Sequence, residues 1–70
     1  MQRTPVSSSN LSSVGYDPGT QTLEVAFHHG GIYQYYGVPE SIYRGLISAA
    51  SKGSFLDSRI KGAYRYNKVN

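Results

Sequence analysis

Hydrophobic and polar positions alternate most cleanly over Thr22-Leu23-Glu24-Val25-Ala26-Phe27, with Leu23, Val25 and Phe27 on one face and Glu24 and Ala26 on the other. A period of two marks a half-buried strand. Before it, Asn10 to Tyr16 reads as a first strand with Leu11, Val14 and Tyr16 as its larger residues. Their alternation is imperfect, which leaves that strand's register open. Asp17-Pro18-Gly19-Thr20 separates the two strands as a turn. The aspartate bonds the following backbone, the proline fixes φ and the glycine accepts φ > 0.

Past Phe27, His28-His29-Gly30-Gly31 turns the chain into Ile32-Tyr33-Gln34-Tyr35-Tyr36. A two-residue loop at His29-Gly30 pairs Phe27 with Ile32, Ala26 with Tyr33, Val25 with Gln34 and Glu24 with Tyr35. That register places Leu23, Val25, Phe27, Ile32 and Tyr36 on one face. Glu24, Ala26, Tyr33 and Tyr35 then share the other. A one-residue bulge exchanges the roles of the tyrosines.

A helix opens at Gly37-Val38-Pro39-Glu40-Ser41. Proline suits the first helical position, and Glu40 complements the positive end of the helix dipole. Ile42, Tyr43, Leu46, Ile47 and Ala50 recur at helical spacing as one apolar face, with Glu40 and Arg44 as an exposed i,i+4 pair. Gly45, with Ala49 one turn on, marks a seam of close approach. Lys52-Gly53 stops this helix, and Ser54 with Asp57 three residues on resembles a cap that starts a second, shorter one. Leu56 and Ile60 form its apolar pair and Gly62 its stop. Residues 63–70 are expected to be extended or irregular. The order strand, strand, strand, helix, helix predicts an α+β fold: a three-stranded antiparallel β-meander followed by two helices packed on one face. Residues 1–7 read as a flexible arm and residues 8–70 as one domain.

Composition narrows the chemistry. Seventy residues support one small core. There is no cysteine, hence no disulfide and no thiolate site. No apolar run approaches the roughly 20 residues of a membrane span, and the first residues lack the apolar core of a signal peptide. A soluble, cytoplasmic chain without a membrane partner is expected. His28 and His29 are neighbours, so on a strand they point to opposite faces and chelate one ion poorly. The serines fall in turns, caps and polar arms. No catalytic residue, metal or cofactor is expected, and the chain does not read as an enzyme.

The net charge of +3 is unevenly spread: residues 1–51 carry −1 and residues 52–70 carry +4. A basic end suits an acidic partner such as a nucleic acid, and equally serves as a solvated face. Lys61, Tyr64, Arg65, Tyr66 and Lys68 interleave cations with rings, and Arg59 extends the basic run. Cations meet phosphates while rings stack on bases. Tyr33 and Tyr35 lie within Gly31-Ile32-Tyr33-Gln34-Tyr35-Tyr36-Gly37, the densest tyrosine stretch of the chain. They are candidates for a stacking platform, or for a cover that packs against the arm or against Tyr64 and Tyr66. The candidate nucleic-acid-binding set is therefore Tyr33, Tyr35, Arg59, Lys61, Tyr64, Arg65, Tyr66 and Lys68. RNA is the expected partner of a monomeric binding module. The alternative is a protein-interaction or homodimerisation module that uses a sheet edge or the tyrosine-rich face.

Several stretches together resemble a known family: Ser9-Asn10, Val14-Gly15-Tyr16-Asp17, Leu23-Glu24-Val25, Gly31-Ile32-Tyr33-Gln34-Tyr35-Tyr36-Gly37-Val38-Pro39, Ser51-Lys52-Gly53-Ser54-Phe55 and Ile60-Lys61. They resemble the KTSC domain, over about residues 8–69. That family takes its name from the C-terminus of some lysyl-tRNA synthetases and also occurs as stand-alone small bacterial proteins. The resemblance implies a single compact domain of bacterial or phage origin. RNA binding has been suggested for the family, whose function is not established. The chain departs from the pattern at Asp57, where asparagine is more usual, and at Arg65, where proline often separates the last two tyrosines.

Overall fold

The turn after Phe27 decides how the sheet is built. In the computed structural model, which describes residues 1–70, His28, His29 and Gly30 form a three-residue loop. The Gly30 N–H donates to the Phe27 carbonyl and the Phe27 N–H to the Gly31 carbonyl, both at 2.9 Å. Gly30 sits at φ 110°, where a side chain is strained. A three-residue loop with a glycine at positive φ is a common hairpin solution. It shifts the register by one residue from the two-residue expectation. Leu23 pairs with Tyr35, Glu24 with Gln34, Val25 with Tyr33 and Ala26 with Ile32. Tyr33 and Tyr35 therefore join Leu23, Val25 and Phe27 on one face. Ile32 and Tyr36 move to the other, beside Glu24, Ala26 and Gln34.

The sheet has five strands rather than three, all antiparallel and in chain order: β1 (Thr4–Pro5), β2 (Leu11–Asp17), β3 (Thr22–Phe27), β4 (Ile32–Tyr35) and β5 (Tyr66–Lys68). The imperfect alternation of β2 has a local cause. Its register shifts between Leu11 and Ser13, and this bulge brings Leu11 onto the same face as Val14 and Tyr16. β1 lies within the expected arm, where Thr4 pairs with Val14 and Pro5 with Ser13. Proline is tolerated there because an edge strand keeps one side free of ladder bonds. β5 forms because β4 would otherwise leave its outer backbone groups unpaired. The Tyr36 N–H donates to the Arg65 carbonyl at 2.9 Å and the Val69 N–H to the Ile32 carbonyl at 2.8 Å. Short range offers too little regularity at either end to announce these strands.

Both helices pack on the Leu23–Val25–Phe27 face. The core joins Leu11, Val14, Leu23, Val25, Phe27, Tyr35 and Val38 to Leu46, Leu56 and Ile60. Helix α1 spans Glu40–Ser48. Pro39 is its N-cap, in extended conformation, rather than its first helical residue. The Tyr16 hydroxyl donates to the Val38 carbonyl, and the Tyr16 and Tyr43 rings stack 4.9 Å apart, so β2 holds both ends of the approach to α1. Leu46 is buried and Ile42 and Tyr43 half-buried, but Ile47 and Ala50 are exposed. The chain leaves the helix at Ala49, before another turn can carry Ala50 inward. The Gly45 seam is filled by a ring and not by backbone: a Cβ there would lie 2.7 Å from Phe55 Cζ.

Helix α2 spans Lys52–Phe55, earlier than expected, because the cap is Ser51, whose hydroxyl accepts the Ser54 N–H. Gly53 is inside the helix rather than at its boundary. The chain continues as a π-helical segment, Leu56–Ile60, closed by the Lys61 N–H on the Leu56 carbonyl at 2.8 Å. Leu56 and Ile60 are both buried, and Gly62 at φ 81° ends the segment.

The hairpin glycine carries a stability cost that can be read. Gly30→Ala meets no neighbour within 4 Å, so strain at positive φ is its whole effect. It is expected to lower stability by about 1–2 kcal/mol in urea unfolding. An unchanged midpoint would reject this turn geometry.

Candidate functional site

On the helix-bearing face, two short helices leave the β4–β5 end of the sheet partly open. There Phe27, His29, Tyr33, Tyr35, Lys61, Gly62 and Tyr66 line a groove of about 380 Å³. Its rings form a connected arc. His29 stacks on Phe27 at 5.2 Å, Phe27 meets Tyr33 edge-on at 5.5 Å, Tyr33 tilts against Tyr66 at 5.9 Å, and Tyr66 tilts against Tyr35 at 5.8 Å. Edge-to-face and offset arrangements are those the ring quadrupoles favour. The Lys61 ammonium lies 5.5 Å from the Phe27 ring centroid, and also 3.1 Å from the Asp57 carboxylate.

The structure brings together four of the eight candidate residues, Tyr33, Tyr35, Lys61 and Tyr66, through the strand register and the turn after Ile60. Tyr33 and Tyr35 lie on the helix-bearing face with Leu23 and Val25, not on the face of Glu24 and Ala26 to which the two-residue loop assigned them. Tyr35 is 3% exposed and belongs to the core, whereas Tyr66 is 61% exposed. Lys68, in β5, pairs with Tyr33 of β4 and is exposed beside the groove. Arg65 is exposed at the start of β5. Tyr64 packs half-buried against the core. Arg59 covers the Phe55 ring at 5.6 Å instead of lining the groove. The Lys52 ammonium is tied to the Ala49 carbonyl at 3.1 Å. The histidine pair serves the turn: the His28 Nε2 is 2.9 Å from the Ser8 carbonyl, and His29 alone reaches the groove. The sequence reading missed Phe27 and His29 as groove residues. Phe27 carried a core signal, and His29 lines the groove only because the loop has three residues.

The open face carries a polar network that no motif announced. Arg3 donates to the Glu24 carboxylate and, at 3.0 Å, to the Ser13 hydroxyl, while Gln34 donates to the other Glu24 oxygen at 2.8 Å. Glu24 is 7% exposed. Burial pushes its carboxyl up, but the hydrogen bonds from Gln34 and Arg3 and the Arg3 charge outweigh this and hold it below the usual range. The same network ties the first residues of the chain to the middle of the sheet.

The family model for the KTSC domain matches residues 7–66. The chain belongs to the KTSC domain family. An uncharacterized protein of Stutzerimonas stutzeri is 39% identical over 71 residues, covering 100% of both chains. A lysine–tRNA ligase of Nostoc sp. is 37% identical over 62 residues, which is 89% of this chain and 11% of that enzyme. The crystal structure of a KTSC domain protein from Yersinia pestis superimposes with a TM-score of 0.95 at 49% identity, covering 99% of this chain and 97% of that one. The sheet and helices described above are thus the KTSC fold. No helix of this KTSC domain is long and apolar enough to cross a membrane.

Two titrations report on the two faces. The lowered Glu24 value means that its contribution to stability is present above the ordinary glutamate range and is lost as pH falls through the folded value. Glu24→Gln should abolish this part of the acid limb in unfolding midpoints followed against pH. Burial chiefly, with smaller effects of Tyr33, Tyr66 and Asp57, pushes the Tyr35 phenol up to about 12. Its contribution is complete below the ordinary tyrosine value and declines as pH rises through the interval up to the folded value. Tyr35→Phe should flatten the alkaline limb between about pH 10 and 12. An unchanged alkaline limb in that variant would place the ring outside the core.

Proposed function

We propose that this KTSC domain is a small non-enzymatic binding module that engages single-stranded RNA weakly, largely through charge. The observation that carries the reading is the aromatic groove with Lys61 on its rim and Lys68 beside it. Exposed rings beside cations are what sequence-tolerant single-strand binders use. The +4 charge of residues 52–70 points the same way. The domain's likeness to part of a lysine–tRNA ligase supports an RNA-related setting.

Not every basic residue of this segment serves the groove. Lys52 is held at Ala49 and Arg59 over Phe55, and Arg65 pairs with Tyr36 on the opposite face of the sheet, which leaves Lys61 and Lys68. Two phosphate contacts predict that log K falls with log[salt] at a slope of about −1.4, from roughly −0.7 per contact on single strands. Asp57 opposes the ligand's charge and engages Lys61, so Asp57→Asn should strengthen binding about twofold. Fluorescence-anisotropy titrations with a labelled mixed-sequence oligoribonucleotide at several salt concentrations test both statements. Binding that ignores salt, or no binding at low salt, rejects the reading.

One observation favours a protein ligand as a second reading. β5 is an edge strand whose three residues are all exposed. An added strand from a partner or a second copy can pair along such an edge. Sedimentation velocity across a hundredfold concentration range tests the homodimer form, and a constant monomer removes it.

A further inference from the structure

The floor of the groove is unlike the rest of the core. Tyr35 is 3% exposed and lines the groove, yet its hydroxyl finds no hydrogen-bond partner within the protein, unlike the Tyr16 and Tyr36 hydroxyls, which bond Val38 and Gln34. No buried side-chain oxygen or nitrogen lacks a partner, so this hydroxyl opens to solvent in the groove, where an acceptor on a ligand can take the place of water. Around it stand the Tyr33 and Tyr66 rings, with Phe27 and His29 continuing the wall. Gly62 contributes no side chain on the side that carries Lys61. The volume lies at the small end of ligand sites.

We infer that this groove takes one nucleotide, its base lodged among the rings with an acceptor on the Tyr35 hydroxyl and its phosphate at Lys61. The nucleotide is either free or a single unpaired residue of a chain, and the latter form rests on the RNA reading above. The phenol stays protonated at neutral pH, since it titrates near 12, and so it donates. Exocyclic carbonyl oxygens of uracil, cytosine and guanine are the matching acceptors, whereas adenine offers only ring nitrogens. Lys61 meets the phosphate by leaving Asp57, an exposed i,i+4 partner that holds it weakly. Asp57 is the anion that faces the site. It disfavours a second negative charge at that rim, so a monophosphate suits the groove better than a polyphosphate.

Amide-shift NMR titrations of the full chain with uridine 5′-monophosphate, adenosine 5′-monophosphate and ribose 5-phosphate test the site directly. Uridine monophosphate should move the amides of Tyr33, Tyr35, Lys61, Gly62 and Tyr66, while ribose 5-phosphate should move only those near Lys61. Tyr35→Phe keeps the ring and should weaken uridine monophosphate about fivefold, one hydrogen bond's worth, with less than half that effect on adenosine monophosphate. Tyr66→Ala, at an exposed ring, should weaken both nucleotides and guards against a fold defect in the first variant. Equal affinity of Tyr35→Phe and the parent for uridine monophosphate overturns the inference. So do nucleotide shifts outside the groove, or an acidic tyrosine-containing peptide that fills it where nucleotides do not. The two readings separate cleanly. Oligoribonucleotide binding without any nucleotide in the groove removes the subsite and leaves the RNA module. Nucleotide binding in the groove with no gain for an oligomer keeps the subsite and removes the RNA module.

Discussion

The three-residue loop at His28, His29 and Gly30 is the constraint on which the rest of the molecule depends. Side chains on a strand alternate with a period of two, so one residue more or less in a hairpin loop exchanges every residue of the next strand between faces. With three residues, Tyr33 and Tyr35 enter the helix-bearing face and Gln34 reaches Glu24. With two, Gln34 would oppose Val25 and the Glu24 carboxylate would lose one of its two partners. The positive φ of Gly30 and the buried state of Glu24 are thus two ends of the same choice.

Five strands give the sheet more width than two short helices can cover. α1 and α2 with its π-helical continuation bury the β2–β3 half through Leu46, Leu56 and Ile60. The β4–β5 half is left to aromatic side chains, which bring their own apolar area and tolerate one wet edge. Tyrosine density and groove therefore share a cause. The rings that finish a core too small to close are the rings available to a ligand, and Tyr35 and Tyr66 mark the inner and outer limits of that transition.

The opposite face is closed by polar means. A carboxylate in the middle of a sheet is tolerable when its oxygens are paired, and Gln34 on the neighbouring β4 and Arg3, just before β1, supply that pairing. The first residues of the chain consequently act as a brace. The two faces are built differently: charge pairing on one, the apolar core with aromatic packing and a partly open groove on the other.

The sequence by itself determined the α+β class, the strand at Thr22–Phe27, the helix near Glu40, the Leu56 and Ile60 pair, the stop at Gly62 and the family. These follow from local periodicity, turn chemistry and quoted motifs, which act within a few residues. It also singled out Tyr33, Tyr35, Lys61 and Tyr66, because clustered rings and cations are visible without a fold. Only the tertiary structure decided which face the tyrosines occupy, since a single loop residue reverses that assignment and the local signals of a two- and a three-residue loop overlap at His-His-Gly-Gly. It alone supplied β1 and β5, whose short segments become strands through the unpaired backbone of their neighbours. It alone removed Arg59 from the candidate set, because a cation's role depends on the ring or carbonyl it finds, and those partners are set by packing.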